Sequence, residues 1–125
     1  MNPIRITVTV TGTDAESIER SFSGSSTFYA QQATDNTILL STTPSQMTRS
    51  SVNAPLFAYI ENLSTVDIAY AVQQTGGSGV TEVSLVVPPG GSTIVNLSMI
   101  EKGTSGFLSL WCQRDTAYVR LITFY

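Results

Sequence analysis

This 125-residue chain contains no histidine. That absence removes the commonest general base, the usual partner of a serine nucleophile and the commonest zinc ligand together. Cysteine occurs once, at Cys112, so an intramolecular disulfide and a thiolate metal cluster are both excluded. Within Leu108-Ser109-Leu110-Trp111-Cys112 nothing would activate the thiol, and a small buried hydrophobe is expected there. Charge is scarce as well. Asp, Glu, Lys and Arg make up 12% of the residues, about half the roughly 25% usual in soluble domains. The single lysine, Lys102, and the arginines Arg5, Arg20, Arg49, Arg114 and Arg120 are scattered, and the net charge is −3. There is no basic stripe to follow a phosphate backbone, so no nucleic-acid partner is expected. No apolar run approaches the roughly 20 residues that cross a bilayer. Met1-Asn2-Pro3-Ile4-Arg5 enters strand-like alternation without an apolar signal core, so neither a membrane partner nor an export signal of its own is expected. Without a secretion route, the glycosylation patterns at Asn62-Leu63-Ser64 and Asn96-Leu97-Ser98 read as coincidence.

What the chain does have is apolar residues, at 42%, and many Ser and Thr. The most informative stretch runs from Val83 to Leu97. Val83, Leu85 and Val87 alternate on one arm, and Thr93, Val95 and Leu97 on the other, the period of half-buried strands. Between them Pro89 presets φ for the second position of a turn and Gly90 supplies φ > 0 at the third, which is a type II turn. Turns of that hand splay a two-residue hairpin, so passage between two sheets is the alternative to a hairpin here.

The remaining chain repeats the theme. Ile4, Ile6, Val8 and Val10 alternate with Arg5, Thr7, Thr9 and Thr11, giving one greasy and one hydroxylated face. Thr13-Asp14-Ala15-Glu16 has the form of a capping box, so residues 13–20 make either a short helical turn or a polar loop. Phe22, Phe28 and Tyr29 flank Ser23-Gly24-Ser25-Ser26-Thr27, which predicts two short strands meeting at a turn. Thr34-Asp35-Asn36 is a second turn signal, and Thr37 to Thr43 a strand stopped by Pro44. Residues 44–54 are the longest loop candidate, with room for a short edge strand. Leu56 to Ile60 reads as a central strand, Val66 to Gln73 as another, Gly76-Gly77-Ser78-Gly79 as a hairpin tip, and residues 106–111 and 118–125 as the last two. A terminal strand does not stay ordered alone, so 118–125 must pair. Strands at intervals of about ten residues predict an all-β antiparallel sandwich, jelly-roll or Greek-key like, as a single domain over residues 1–125.

Candidates for chemistry are few. Asp14, Glu16 and Glu19 cluster in sequence, and Glu61, Asp67 and Glu82 can approach across strands. A glycosidase needs two such carboxyls about 5–10 Å apart in a cleft, one with a raised pKa, and nothing specifies the cleft. No D-x-D-x-D-G ladder marks calcium, and the glycines at 76–79 and 90–91 lack the spacing and following helix of a phosphate loop. The expectation is no catalytic, cofactor-binding or metal-binding residue, and no enzyme. Trp111, Tyr59, Tyr70, Tyr118 and Tyr125 fall on predicted strands, where they either fill a core or inter-subunit seam or stack on sugars, and Tyr29 is equally open.

Several segments carry a likeness. Phe22-x-Gly24 with Phe28-Tyr29, the strand from Ala33 to Leu40, and Ile60-Glu61-Asn62-x-Ser64 before Val66-Asp67-Ile68 are three of them. Val87-Pro88-Pro89-Gly90-Gly91-Ser92 and Ala117-Tyr118-Val119-Arg120 complete the set. Together they resemble small virion proteins of tailed bacteriophages, in which a β-sandwich serves as a capsid decoration (cement) protein or a tail or fibre module. The resemblance implies a non-enzymatic viral structural protein, made in the host cytoplasm and resident on the capsid surface. Its partners would be the major capsid protein and further copies of itself, a trimer being one symmetric form. It brings no catalytic residue with it. The alternatives are a tail-associated adhesion module using loops 44–54 and 74–80, and a carbohydrate-binding β-sandwich.

Overall fold

The computed structural model describes residues 2–13, 15–49, 55–76, 79–97 and 107–125. Among these there are ten strands and no helix. The chain divides into two compact units, Met1–Gln31 and Gln32–Tyr125.

The larger unit holds β3 (Ala33–Leu40), β4 (Ser45–Arg49), β5 (Phe57–Asn62), β6 (Ile68–Gly76), β7 (Gly79–Val87), β8 (Ser92–Asn96), β9 (Phe107–Cys112) and β10 (Ala117–Phe124). They form two four-stranded sheets, ordered β3-β10-β5-β8 and β4-β9-β6-β7. Every pairing is antiparallel. The connectivity is that of one long ribbon doubled at the β6–β7 turn, in which β3 runs with β10, β4 with β9, β5 with β8 and β6 with β7. The ribbon is wound so that β10 also meets β5 and β6 also meets β9. That winding is the jelly roll, and it places successive ribbon pairs in alternating sheets, the two strands of each pair staying in one.

The core follows from the period of two. Along β10, Ala117, Val119, Leu121 and Thr123 are buried while Tyr118 and Arg120 are exposed. Leu40, Ile60, Val95, Val119 and Leu121 of one sheet belong to the same cluster as Ile68, Tyr70, Val72, Val87, Leu108 and Leu110 of the other. The terminal strand is central, paired on both sides by β3 and β5, and Cys112 is buried in the core as its sequence context implied.

The smaller unit is a two-stranded antiparallel hairpin of β1 (Asn2–Thr13) and β2 (Glu19–Ala30). The sequence assigned all 125 residues to one sandwich because an alternating strand such as Ile4 to Val10 reads alike whether or not a second sheet covers it. Two local expectations change, and a third that was left open is decided. Residues 23–27 are not a turn but the middle of β2, because twelve paired positions with β1 outweigh the turn preference of Gly and Ser. Asp35 and Asn36 likewise lie inside β3, paired with Ile122 and Leu121. Ala15 and Glu16 form a turn rather than a helix, and Ser17 takes φ 63°; Asp14 lies outside the described residues. In segment 44–54 the predicted edge strand exists as β4, while 50–54 lie outside the described residues, as do Gly77 and Ser78 of the hairpin tip.

The corner at 88–91 is a type II turn: Gly90 has φ 70° and the Gly91 N–H donates to the Pro88 carbonyl at 2.9 Å. It carries the chain from β7 in one sheet to β8 in the other, the non-hairpin alternative. The two glycines serve different needs. A Cβ on Gly90 would meet nothing, so only its φ demands glycine, whereas one on Gly91 would stand 3.1 Å from the Pro88 carbonyl oxygen. This corner is tied to the β5–β6 corner by Asn62, which is almost completely buried. Its Nδ2 donates to the carbonyls of Val66 at 2.8 Å and Val87 at 3.0 Å. Its Oδ1 accepts from the Ser64 N–H and hydroxyl at 2.9 and 2.7 Å. Its backbone N–H donates to Gly91 and its carbonyl accepts from Gly90. With both amide hydrogens engaged in the interior, Asn62 is closed to glycosylation in the folded protein.

Two stability measurements check this corner. Gly90→Val is expected to lower unfolding free energy by about 1 kcal/mol or more through φ alone, and equal denaturation midpoints would refute the φ argument. Asn62→Ala strands buried carbonyls and is expected to cost about 3 kcal/mol; a loss below about 1 kcal/mol would mean that other groups satisfy them.

Candidate interaction surface

Strand register determines what each sheet shows to the outside. On the β3-β10-β5-β8 sheet the outward rows are Leu39 beside Tyr118, then Thr37, Arg120, Glu61 and Ser92, then Asp35, Ile122, Tyr59 and Ile94. A fourth row runs Ala33, Phe124, Phe57 and Asn96, and the rings of Phe124 and Phe57 stack with centroids 4.5 Å apart. This outer face sets Leu39, Tyr118, Ile122, Tyr59 and Ile94 among polar and charged residues. Its exposed corner is the clearest feature: Leu39 and Tyr118 are directly opposed across the β3–β10 ladder and are 56% and 55% exposed. Leu63, 49% exposed, joins them, its N–H donating to the Tyr118 carbonyl at 3.0 Å. One exposed apolar side chain needs no explanation, but three at adjoining backbone positions mark a surface that can be covered.

Beside this corner lies a charged strip. Arg120 makes a two-pronged contact with Asp35, Nε to Oδ1 at 3.1 Å and Nη2 to Oδ2 at 2.8 Å. The hydrogen bond from Arg120, assisted by its charge, holds the Asp35 carboxyl below its ordinary value. The same hydrogen bond is the main reason that the Arg120 pKa is raised, with Glu61 adding to it. On the other side of Arg120, the Tyr59 hydroxyl donates to Glu61 Oε2 at 3.0 Å. A lowered carboxyl is the opposite of what a general acid requires. The Asp35–Arg120 pair therefore orients charge on this surface.

The acidic residues singled out by sequence do not share one element. Glu61 is on the outer face of one sheet and Glu82 on β7 of the other, while exposed Asp67 precedes β6. Glu16 and Glu19 lie at the closed end of the hairpin. Among the described residues no three of His, Cys, Asp and Glu are grouped to hold a metal ion. Of the strand aromatics only Tyr70 enters the core cluster. Trp111 faces outward from β9, because Leu110 and Cys112 on either side face inward. Tyr59 and Tyr118 face outward from the other sheet, Tyr125 follows β10 half-buried, and Tyr29 is exposed on the hairpin. Tyr118 was a candidate from sequence; Leu39 and Leu63 were missed. The signal for Leu39 was present in Ile38-Leu39-Leu40, since three successive apolar residues in a strand must send one to the far face.

Compared with known proteins, the chain matches no family model and no curated protein.

The Asp35–Arg120 contact has a titration signature. Because the folded-state pKa of Asp35 is lowered, the contact's contribution is present above the unfolded value and is lost as pH falls through the folded one. In Arg120→Ala the Asp35 carboxyl is expected to titrate closer to its ordinary 3.8, as followed by carbon-detected NMR; an unchanged midpoint would mean that Arg120 is not the cause.

Proposed function

We propose that this protein is a non-enzymatic virion structural protein, a capsid decoration protein that associates with itself and with the major capsid protein on the surface of a tailed bacteriophage. The observation that carries the reading is the exposed apolar corner of Leu39, Tyr118 and Leu63 on the outer face of a jelly-roll sheet. Jelly rolls serve as viral capsid and lectin domains, but a fold alone assigns no function. The weight rests on the surface and on the composition. A flat apolar patch rimmed by Arg120, Asp35 and Glu61 suits contact with another protein surface, where an apolar centre and a polar rim exclude water. At 12% charged residues the chain has little like-charge repulsion to keep copies apart, which suits a protein held in an assembly. Repetition over a shell multiplies contacts that are individually weak.

A second reading, a carbohydrate-binding or receptor-binding sandwich, is favoured by the outward aromatics Trp111, Tyr59 and Tyr118, whose rings are placed where sugars can stack. The two are separable. Particles lacking the protein should regain heat resistance when the wild-type protein is added. Leu39→Ser/Tyr118→Ser should fold as before yet bind the particles at least tenfold more weakly. Wild-type protein that leaves particle stability unchanged, together with glycan affinity lost on Trp111→Ala or Tyr118→Ala, would replace the first reading by the second.

A further inference from the structure

The outer face of the other sheet, β4-β9-β6-β7, carries the single tryptophan of the chain. Trp111 is paired with Ala69, and Ala69 with Val86. At the next outward level Ser109 stands between Ala71 and Gln46. On the other side of Trp111, just past the end of the ladder, come exposed Asp67 and Gln113, where the Gln113 N–H donates to the Asp67 carbonyl at 3.0 Å. The inner strands β6 and β9 contain no charged residue, and the charged positions Arg49 and Glu82, one level past Ser109, fall on the edge strands β4 and β7. Ser109 is the unusual member of this face. Leu108 and Leu110 on either side of it enter the core, so its hydroxyl is directed outward, yet it is only 7% exposed. Among the described residues that hydroxyl has no hydrogen-bond partner. A shielded hydroxyl left without a partner costs stability, and this one gains a partner only from a molecule, water included, that settles on the face. Ala69 and Ala71 are buried as well and complete a low floor next to Trp111, since a methyl group is too short to cover an indole.

We propose that this face is a saccharide-binding platform, with a pyranose ring stacked on the Trp111 indole and a sugar hydroxyl bonded to Ser109 Oγ. A pyranose has a C–H face that packs on an aromatic ring and hydroxyls around its edge that need donors and acceptors. The levels on either side of Trp111 supply both, Ser109 on one and exposed Asp67 and Gln113 on the other. From Ser109 to Gln113 the chain advances roughly 14 Å at about 3.4 Å per residue, the length of a short oligosaccharide. A tryptophan that anchors a protein contact is enclosed by a ring of neighbours that keeps water out, whereas the residues two places from Trp111 in either direction are polar. The aromatics of the other sheet are less suited to a sugar, because the Tyr59 hydroxyl is engaged by Glu61 and Tyr118 stands opposite Leu39. One ring and a few polar contacts on an open face give weak binding, with Kd about 1 mM. The inference takes its ligand class from the second functional reading and assigns it to one sheet. The apolar corner at Leu39 lies on the other sheet, so a virion protein can use both.

Because Trp111 is the only tryptophan, its emission reports occupancy directly in the wild-type chain. Cellotriose, maltotriose, chitotriose and mannotriose are the probes, and at least one should change that emission saturably with a Kd of about 1 mM or tighter. With the same sugar, followed by NMR titration, Trp111→Ala should bind at least about tenfold more weakly and Ser109→Ala about fivefold more weakly. Tyr118→Ala should bind as wild type does. Ser109→Ala should also unfold at a midpoint no lower than wild type, since it removes a hydroxyl that has no partner. A lowered midpoint would reveal an internal partner and overturn the site. Affinity lost in Tyr118→Ala but kept in Trp111→Ala would overturn this site while leaving the carbohydrate reading intact. No response to any of the four sugars would overturn both, and the wild-type emission decides that without any variant having to fold. Trp111→Ala that loses binding to particles but not to sugar would make the face a protein contact instead. Failure of the protein to stabilise particles touches only the capsid reading.

Discussion

Asn62 lies in the interior at the point where the chain leaves one sheet for the other, and each of its hydrogen-bonding groups is engaged. A jelly roll is a ribbon folded over on itself, so its weak points are the corners where strands stop exchanging hydrogen bonds with their neighbours. Carbonyls freed there, such as those of Val66 and Val87, are close to the core and need partners inside the protein. A single carboxamide, with two donors and an acceptor that takes two bonds, joins the corner after β5 to the corner after β7. The register of β5 with β8, and so the closing of the two sheets over a common core, depends on that junction.

With the corners held, the alternation of each strand determines the surfaces. The same parity that sends Val119 and Leu121 inward sends Tyr118 and Arg120 outward. The apolar corner at Leu39, Tyr118 and Leu63 is thus a consequence of a core that needs Leu40 and Val119 where they are. Its composition remains a free choice, since an outward position tolerates polar residues at no cost to the fold. Apolar side chains at three adjoining outward positions leave a surface that can be covered, and the neighbouring Asp35–Arg120 pair, which is half exposed and worth little as a fold-stabilising bridge, gives that surface an oriented charge.

The hairpin of β1 and β2 is a different physical problem. Two strands alone are marginal in water, and a long hairpin with one greasy face gains stability when that face is covered.

The sequence alone determined the class of the fold and several of its local parts. Period-two alternation, turns at regular spacing and the want of any helical pattern were enough for an antiparallel β-sandwich. Pro89-Gly90 was enough for a type II corner with φ > 0, because both depend on the chemistry of adjacent residues. The missing histidine and single cysteine narrowed the chemistry before any geometry was known. Only the tertiary structure decided matters that depend on distant pairing. Gly24 and Asp35 look like turn residues until ladders with β1 and β10 hold them extended, since many cooperative backbone bonds outweigh a local preference. That Asn62 is a buried junction rather than a surface asparagine depends on carbonyls as remote as Val87. Whether an alternating strand has its greasy face covered cannot be read from the strand itself, because alternation reports that a face is apolar and says nothing of what lies against it.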